Sequence, residues 1–231
     1  MIAIVDYGMG NLRSVANAFR AIDKTIEISI IDSPHDLEKA EAIVLPGVGA
    51  FDEGMNNLRE AGFLPALNRE VQEKKKPFLG ICLGMQFLSD KSEECRLFPS
   101  GERGFCHGLG WIHGTVREIE TGDKKYKVPH MGWNDLQIKQ TTPLYENFPE
   151  APVFYFVHSY HFEIAEQEKT AVSAVTHHGI AIVASVQKEN IYGVQFHPEK
   201  SQRVGLQLLK NFVTIANSYA EKTAHSCLNP S

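Results

Sequence analysis

Gly80-Ile81-Cys82-Leu83-Gly84 sets a cysteine between two glycines, at the point where the apolar run 77–81 meets Met85-Gln86-Phe87-Leu88. A sharp strand-to-helix turn lifts a nucleophile clear of a sheet, but it strains that residue's backbone and leaves no room for neighbouring side chains. Glycine on both sides meets that requirement. A cysteine at the start of a helix also meets partial positive charge, which favours thiolate. These residues alone leave a second reading open, a buried apolar thiol within a hydrophobic strand.

A nucleophilic cysteine needs a base, and the base needs an orienting acceptor on its other ring nitrogen. Gly193-Val194-Gln195-Phe196-His197-Pro198-Glu199 supplies both, with His197 directly after a strand-like run, Pro198 restraining the turn and Glu199 two residues on. Each has an ordinary use as well: His-Pro pairs are common in loops, and an acidic residue favours the start of a helix. Cys82 and His197 both fall at strand ends, and the carboxyl edge of an open α/β sheet is where ligands bind.

The elements that must bring them together follow from hydrophobic periodicity. Residues 2–5 read as a strand, Asp6-Tyr7-Gly8-Met9-Gly10-Asn11 as a turn, and Leu12, Val15, Ala16 and Phe19 as the apolar stripe of a helix. A second strand lies within 26–31, followed by Ser33 as N-cap, Pro34 at the first position and a short helix. Residues 42–45 form a buried strand that Pro46-Gly47-Val48-Gly49 must end, residues 63–74 are helical, and 77–81 are a strand running into Cys82. This alternation implies a parallel sheet. Later strand-like runs at 114–119, 153–156, 171–176, 180–186 and 191–195 follow one another without helices, and 201–216 closes the chain as an amphipathic helix. The expected fold is a single α/β domain: a mostly parallel central sheet flanked by helices, with mixed or antiparallel strands in the C-terminal half. The domain should span 1–216, and the polar tail 217–231 should fray.

Composition narrows the function classes. At 231 residues, 43% hydrophobic and 22% charged, the chain can bury a sizeable core, and a net charge of −5 argues against a mainly electrostatic nucleic-acid binder. The run Lys74-Lys75-Lys76 reads as a solvated helix end. The N-terminus lacks a basic segment before its short apolar run, so neither a signal peptide nor a membrane span is expected, and the location should be cytoplasmic. The cysteines at 82, 95, 106 and 227 should be free thiols. Cys95, Cys106, His107 and His113 fit no standard ligand spacing, and neither a metal nor a cofactor is expected.

Gly80-Ile81-Cys82-Leu83-Gly84-Met85-Gln86 followed by His197-Pro198-Glu199 resembles the class I glutamine amidotransferases. More specific stretches are Asp6 through Asn11, Pro46-Gly47-Val48-Gly49-Ala50-Phe51, His130-Met131-Gly132-Trp133-Asn134, Phe156-Val157-His158-Ser159-Tyr160 and His197-Pro198-Glu199-Lys200-Ser201. In these the chain is similar, from residue 1 to about 213, to the glutaminase subunits of imidazole glycerol phosphate synthases, from histidine biosynthesis. The resemblance implies a glutaminase in which Cys82 attacks the amide carbon of L-glutamine, His197 carries the proton and Glu199 orients the ring. It implies oxyanion donors at the N–H groups of Val48 and Leu83, and glutamine contacts at Gly47, Gln86, Ser159 and Tyr160. It also implies a heterodimer with a cyclase subunit, a (β/α)8 barrel that receives the ammonia, facing Asn11, Trp133 and Lys200. On their own these three have other uses: a turn Asn, a core Trp and a solvated Lys. A paralogous amidotransferase subunit serving another synthase, such as one for surface-sugar amidation, and a non-catalytic α/β binding module are the competing readings.

Overall fold

The computed structural model describes residues 1–95, 104–122 and 125–228. Its strands are β1 (Ile2–Val5), β2 (Ile28–Ile31), β3 (Ala42–Gly47), β4 (Phe78–Cys82), β5 (Lys91–Ser92), β6 (Cys106–His107) and β7 (Gly114–Glu118). They continue with β8 (His130–Asp135), β9 (Gln137–Ile138), β10 (Val153–His158), β11 (Tyr160–Ile164), β12 (Val172–His178), β13 (Ile180–Lys188) and β14 (Ile191–Val194). The helices are α1 (Leu12–Ile22), α2 (Phe51–Glu60), α3 (Phe63–Leu67), α4 (Leu83–Gln86) and α5 (Gln202–Leu228).

An eight-stranded sheet in the order β2-β1-β3-β4-β14-β13-β12-β9 forms the centre. From β2 to β14 neighbouring strands are parallel, and from β14 to β9 they are antiparallel, as the switch from strand–helix alternation to consecutive strands implied. Parallel strands covered on both faces are apolar throughout. In β1, Ile2 and Ile4 join Val15 and Phe19 of α1 and Leu208 and Phe212 of α5, while Ala3 and Val5 join Phe51 and Leu58 of α2 and Phe63 of α3. The parallel register sets Gly47 beside Cys82 and Val194 beside Ile81, so β3, β4 and β14 end together. Small sheets of β10-β8 and β11-β7-β5-β6 flank this edge.

Several expectations need correction. The helix α2 was not anticipated: Phe51, Met55 and Leu58 have helical spacing, but Gly54 and the polar Asn56 and Asn57 weaken the local preference. Gly54 is needed because a Cβ there would lie 2.5 Å from the Phe87 ring. The helix after Pro34 is a 3-10 turn whose Ser33 side chain makes no capping bond, and the 63–74 stretch divides into α3 and a π-type turn over Asn68–Glu73. The lysine run is a solvated end at Lys74 and Lys75 but not at Lys76. Lys76 is buried, with Nζ 2.7 Å from Glu70 and 2.9 Å from the carbonyls of Leu37 and Glu38, and Lys74 also pairs with Glu70. The closing helix does not stop near Ala216: α5 continues to Leu228, and the Tyr219 hydroxyl donates to the Lys74 carbonyl at 2.9 Å.

Cys95 and Cys106 are not free thiols but a disulfide, with Cα atoms 5.5 Å apart. The pairing of Ser92 with Cys106 in β5–β6 draws the two together, which spacing along the chain could not reveal. His113 of the rejected metal set bonds Asp90 at 3.0 Å instead. Alkylating the unfolded, unreduced chain should label Cys82 and spare Cys95 and Cys106 until a reductant is added, as read by peptide mass mapping. Label on either without reductant would contradict the bridge.

Candidate active site

Cys82 ends β4 with φ 54° and ψ −108°, a conformation that costs a residue with a side chain roughly 1–3 kcal/mol. The turn that imposes it is tight on both sides. A Cβ at Gly80 would lie 2.5 Å from the Gly84 carbonyl oxygen, and one at Gly84 would lie 1.8 Å from that of Leu45 in β3. Cys82 is buried and immediately precedes the single turn of α4.

His197 is placed by its own backbone, which donates to the Tyr155 carbonyl at 2.9 Å, and by Phe196, whose ring stacks on Phe154 at 4.0 Å. The Ser201 hydroxyl donates to the His197 carbonyl at 2.6 Å and closes the turn that carries Glu199. His197 Nδ1 lies 2.8 Å from Glu199 Oε1, with side chains 2% and 1% exposed. Burial alone would lower the imidazole's pKa. The Cys82 charge and then the Glu199 carboxylate outweigh it and push it up to about 10, so the ring holds its proton whenever Cys82 is ionised. Its Nε2 finds no partner of regular hydrogen-bond geometry among the described residues, and Cys82 is the group acting on it most strongly. A cysteine, an imidazolium and a carboxylate in this arrangement can form a thioester with a carbonyl substrate and protonate its leaving group.

A cavity of about 260 Å³ opens on Cys82 and His197, lined by Val48, Gly49, Leu83, Gln86, Glu94 and the segment from Val157 to Tyr160. That is below the roughly 300–1,000 Å³ of drug-sized sites and suits one amino acid. A larger cleft of about 820 Å³, between β11 and β13, is lined by neither Cys82 nor His197. The structure thus brings Cys82, His197, Glu199, Val48, Leu83, Gln86, Ser159 and Tyr160 together. Gly47 does not line the cavity. It sits behind Cys82, where a Cβ would meet the Tyr7 hydroxyl at 2.4 Å. That hydroxyl donates to the Pro46 carbonyl at 3.0 Å and fixes the base of the loop, while Gly49 at φ +109° leaves the far end free for Val48 to turn.

A family model for glutamine amidotransferase class-I matches residues 3–216. The chain belongs to the class I glutamine amidotransferases. It is 46% identical over 215 residues to a Campylobacter jejuni (strain RM1221) protein named imidazole glycerol phosphate synthase subunit HisH 1, covering 93% of this chain and all of that one. A Moorella thermoacetica protein named imidazole glycerol phosphate synthase subunit HisH is 44% identical, over 91% of this chain and 93% of its own. Among solved structures, PurLQS from Thermotoga maritima superposes with a TM-score of 0.67 at 18% identity, covering 93% of this chain and 97% of that one. The glutaminase domain of Trypanosoma brucei CTPS reaches 0.63 at 19%, over 92% and 93%. The structural likenesses establish a shared fold. Members of the family are glutaminases with a cysteine nucleophile, and this amidotransferase is an enzyme of that kind.

Beside the amidotransferase cavity runs a chain of neutral rings whose polarity is set from both ends. Asn134 Nδ2 donates to the His177 carbonyl at 3.0 Å, so it must also be a donor toward His130 Nε2, 3.1 Å away. His130 Nδ1 then carries the proton toward His158 Nε2 at 3.0 Å, and His158 Nδ1 donates to the Tyr160 carbonyl at 2.8 Å. The motif residues His130, Asn134 and His158 thus have a structural use not foreseen from spacing. The motif spacing also does not reveal Glu94 as a cavity residue, or Tyr7 and Gln195 as buried neighbours of Cys82. Only Gln195, a polar side chain in an apolar strand end, carried a readable signal.

The residues expected at a partner surface divide. Trp133 is not in the core: it is 49% exposed on β8, edge-on to Tyr155, and the exposed Lys200 places Nζ 5.9 Å from that same ring. Met131 and Val153 extend this apolar face. Asn11 precedes α1 and makes no side-chain cap bond.

Burial holds the His130 pKa down to about 4 and the His158 pKa to about 3, with the nearby His178 and His161 adding repulsion. Both lie below the unfolded value near 6.5, so their contribution to stability is present above that pH and is lost as pH falls through 4 and 3. His197 acts in the opposite direction and only above 6.5. The unfolding free energy from urea titration, and with it the midpoint, should therefore drop between about pH 6.5 and about pH 5, the free energy by up to roughly 1.4 kcal/mol per ring per pH unit. A flat midpoint over that interval would show that the rings are not held neutral.

Proposed function

We propose that the chain is the glutaminase subunit of an imidazole glycerol phosphate synthase. It hydrolyses L-glutamine and passes the ammonia to a cyclase subunit, a (β/α)8 barrel, in histidine biosynthesis. The single observation that carries the chemistry is the buried His197–Glu199 pair facing Cys82 across an amino-acid-sized cavity. The pathway rests on the names of relatives at 41–46% identity that span nearly the whole chain.

In this reading Cys82 Sγ, having lost its proton to His197, attacks the side-chain carbon of glutamine. His197 returns the proton to the leaving nitrogen, ammonia departs, and a glutamyl thioester remains. Water then adds with His197 as base, the carbon–sulfur bond breaks, and glutamate leaves as Sγ regains its proton. The Leu83 N–H and the Val48 N–H serve the oxyanion, each donor being worth about two to three powers of ten in turnover. Glu94, whose Oε2 accepts from the Phe51 N–H at 3.1 Å, is suited to the substrate's ammonium, and Ser159 and Tyr160 to its carboxylate end. Among the described residues no helix is long and apolar enough to cross a membrane. The proposed amino-acid biosynthetic role puts the pair in the cytoplasm. Met131, Trp133, Val153 and Lys200 form the face offered to the cyclase, and Asn11, at the start of α1, is the further contact the family resemblance implies.

Cys82→Ser should reduce glutamine hydrolysis in the complex to below a few per cent while ammonia supplied in solution still drives the cyclase reaction. Retained glutaminase activity would refute the assignment of the nucleophile. Expression in a strain lacking the subunit should restore growth without histidine. Failure to do so by a chain that releases glutamate with another partner would favour the paralogous subunit.

A further inference from the structure

Gln195 directly follows β14, two residues before His197, and its side chain is fully buried with no exposed area. A buried primary amide must place two donors and an acceptor, and which end faces which neighbour is decided by those neighbours. Here the decision starts at the Tyr160 carbonyl, which can only accept. Gln86 Nε2 lies 3.0 Å from it and is therefore the donor end of Gln86. The same nitrogen lies 3.0 Å from Gln195 Oε1, so its second N–H is directed there. Turning Gln195 over would set two NH2 groups against each other. Gln195 Nε2 must then point the other way, and in that direction, 3.6 Å away, is Cys82 Sγ.

We propose that Gln195 is a catalytic residue of this glutaminase, its amide N–H holding the Cys82 thiolate, and that Gln86 positions it. The proposal deepens the reading of Cys82 as nucleophile and rests on it. The thiolate has the His197 imidazolium on one side and the Gln195 dipole on the other, while Tyr7, whose neutral form is favoured by burial and by the Cys82 charge, adds no competing anion. A hydrogen bond to a charged acceptor in a buried site is among the stronger ones. The same connections limit Gln86: with both N–H bonds committed to Tyr160 and Gln195, it can meet the substrate only through Oε1, as an acceptor. A ligand group touching Gln86 must therefore be an N–H donor, such as the substrate's own amide.

The discriminating substitution is Gln195→Glu. Its carboxylate keeps the shape and still accepts from Gln86, but presents oxygen instead of N–H to the sulfur. Measured on the full chain, the pH at which Cys82 reaches half its maximal rate of alkylation by iodoacetamide should rise by at least about one unit. In the complex, kcat for glutamine should fall about tenfold or more with KM changed by less than about threefold. His197, Glu199 and Tyr7 surround the sulfur unchanged in both proteins, so they do not produce the difference. If Gln195→Glu does not fold, Gln195→Met removes the donor without adding charge and should raise the same midpoint by a smaller amount. A merely structural role would lower the unfolding midpoint and leave the alkylation profile in place, and an unmoved profile in a folded variant overturns the proposal. The wild type separates the two ideas: a Cys82 that is unreactive, with no glutamate released by the complex, would refute the nucleophile, whereas a reactive wild type with unshifted variants would refute only Gln195.

Discussion

No methyl group fits between residue 84 and the Leu45 carbonyl, where a Cβ would come within 1.8 Å, and the active centre depends on that contact. It locks the turn after β4 onto the end of β3. The backbone of Cys82 is thereby held at φ 54°, and the loop from Pro46 to Gly49 is carried to the opposite side of the cavity. Strain of this kind persists only when surrounding contacts over-determine it. Gly80 against the Gly84 carbonyl, Gly47 against the Tyr7 hydroxyl and Gly54 against Phe87 supply those contacts, each at a distance that any side chain would destroy.

A second constraint is the direction of the buried hydrogen bonds. The Tyr160 carbonyl receives His158 on one side and Gln86 on the other, and from it the polarity of two chains follows, one back to Asn134 and one forward to Cys82. In a buried setting an unpaired donor is costly, so each group has one admissible orientation. Burial favours the neutral form of His130 and His158, while Cys82 and Glu199 shift His197 toward its charged form, although all three rings are buried in the same protein. Local partners, not depth, decide the protonation state.

One strand joins the cavity to the outer surface. Successive side chains of β8 alternate between faces, so His130 and Asn134 reach inward to the ring chain while Met131 and Trp133 stand in solvent. The turn carrying Glu199 does the same over a shorter distance, with Glu199 on His197 and Lys200 over Tyr155. A partner seated on Trp133 and Lys200 would rest on the same backbone that orients the proposed base.

The sequence by itself determined the parallel core, the elbow and the pairing of a strand-end cysteine with a strand-end histidine. These rest on local period, on glycine and on the strand-to-turn transition at Cys82 and His197, all of which act over a few residues. It also determined the amidotransferase family, because separated motifs from Asp6 to Ser201 stand in one order. Only the tertiary structure decided what depends on chain segments far apart meeting: the Cys95–Cys106 bridge formed by β5 against β6, the burial of Lys76 on Glu70, and the place of Gly47 behind the cavity. It also decided the extension of α5 past Ala216, which Tyr219 fastens to Lys74, and the exposure of Trp133, whose size suits core and surface equally. The orientation of Gln195 belongs to the same class, since an amide's direction is set by neighbours more than a hundred residues away, Gln86 and Cys82, which no local pattern encodes.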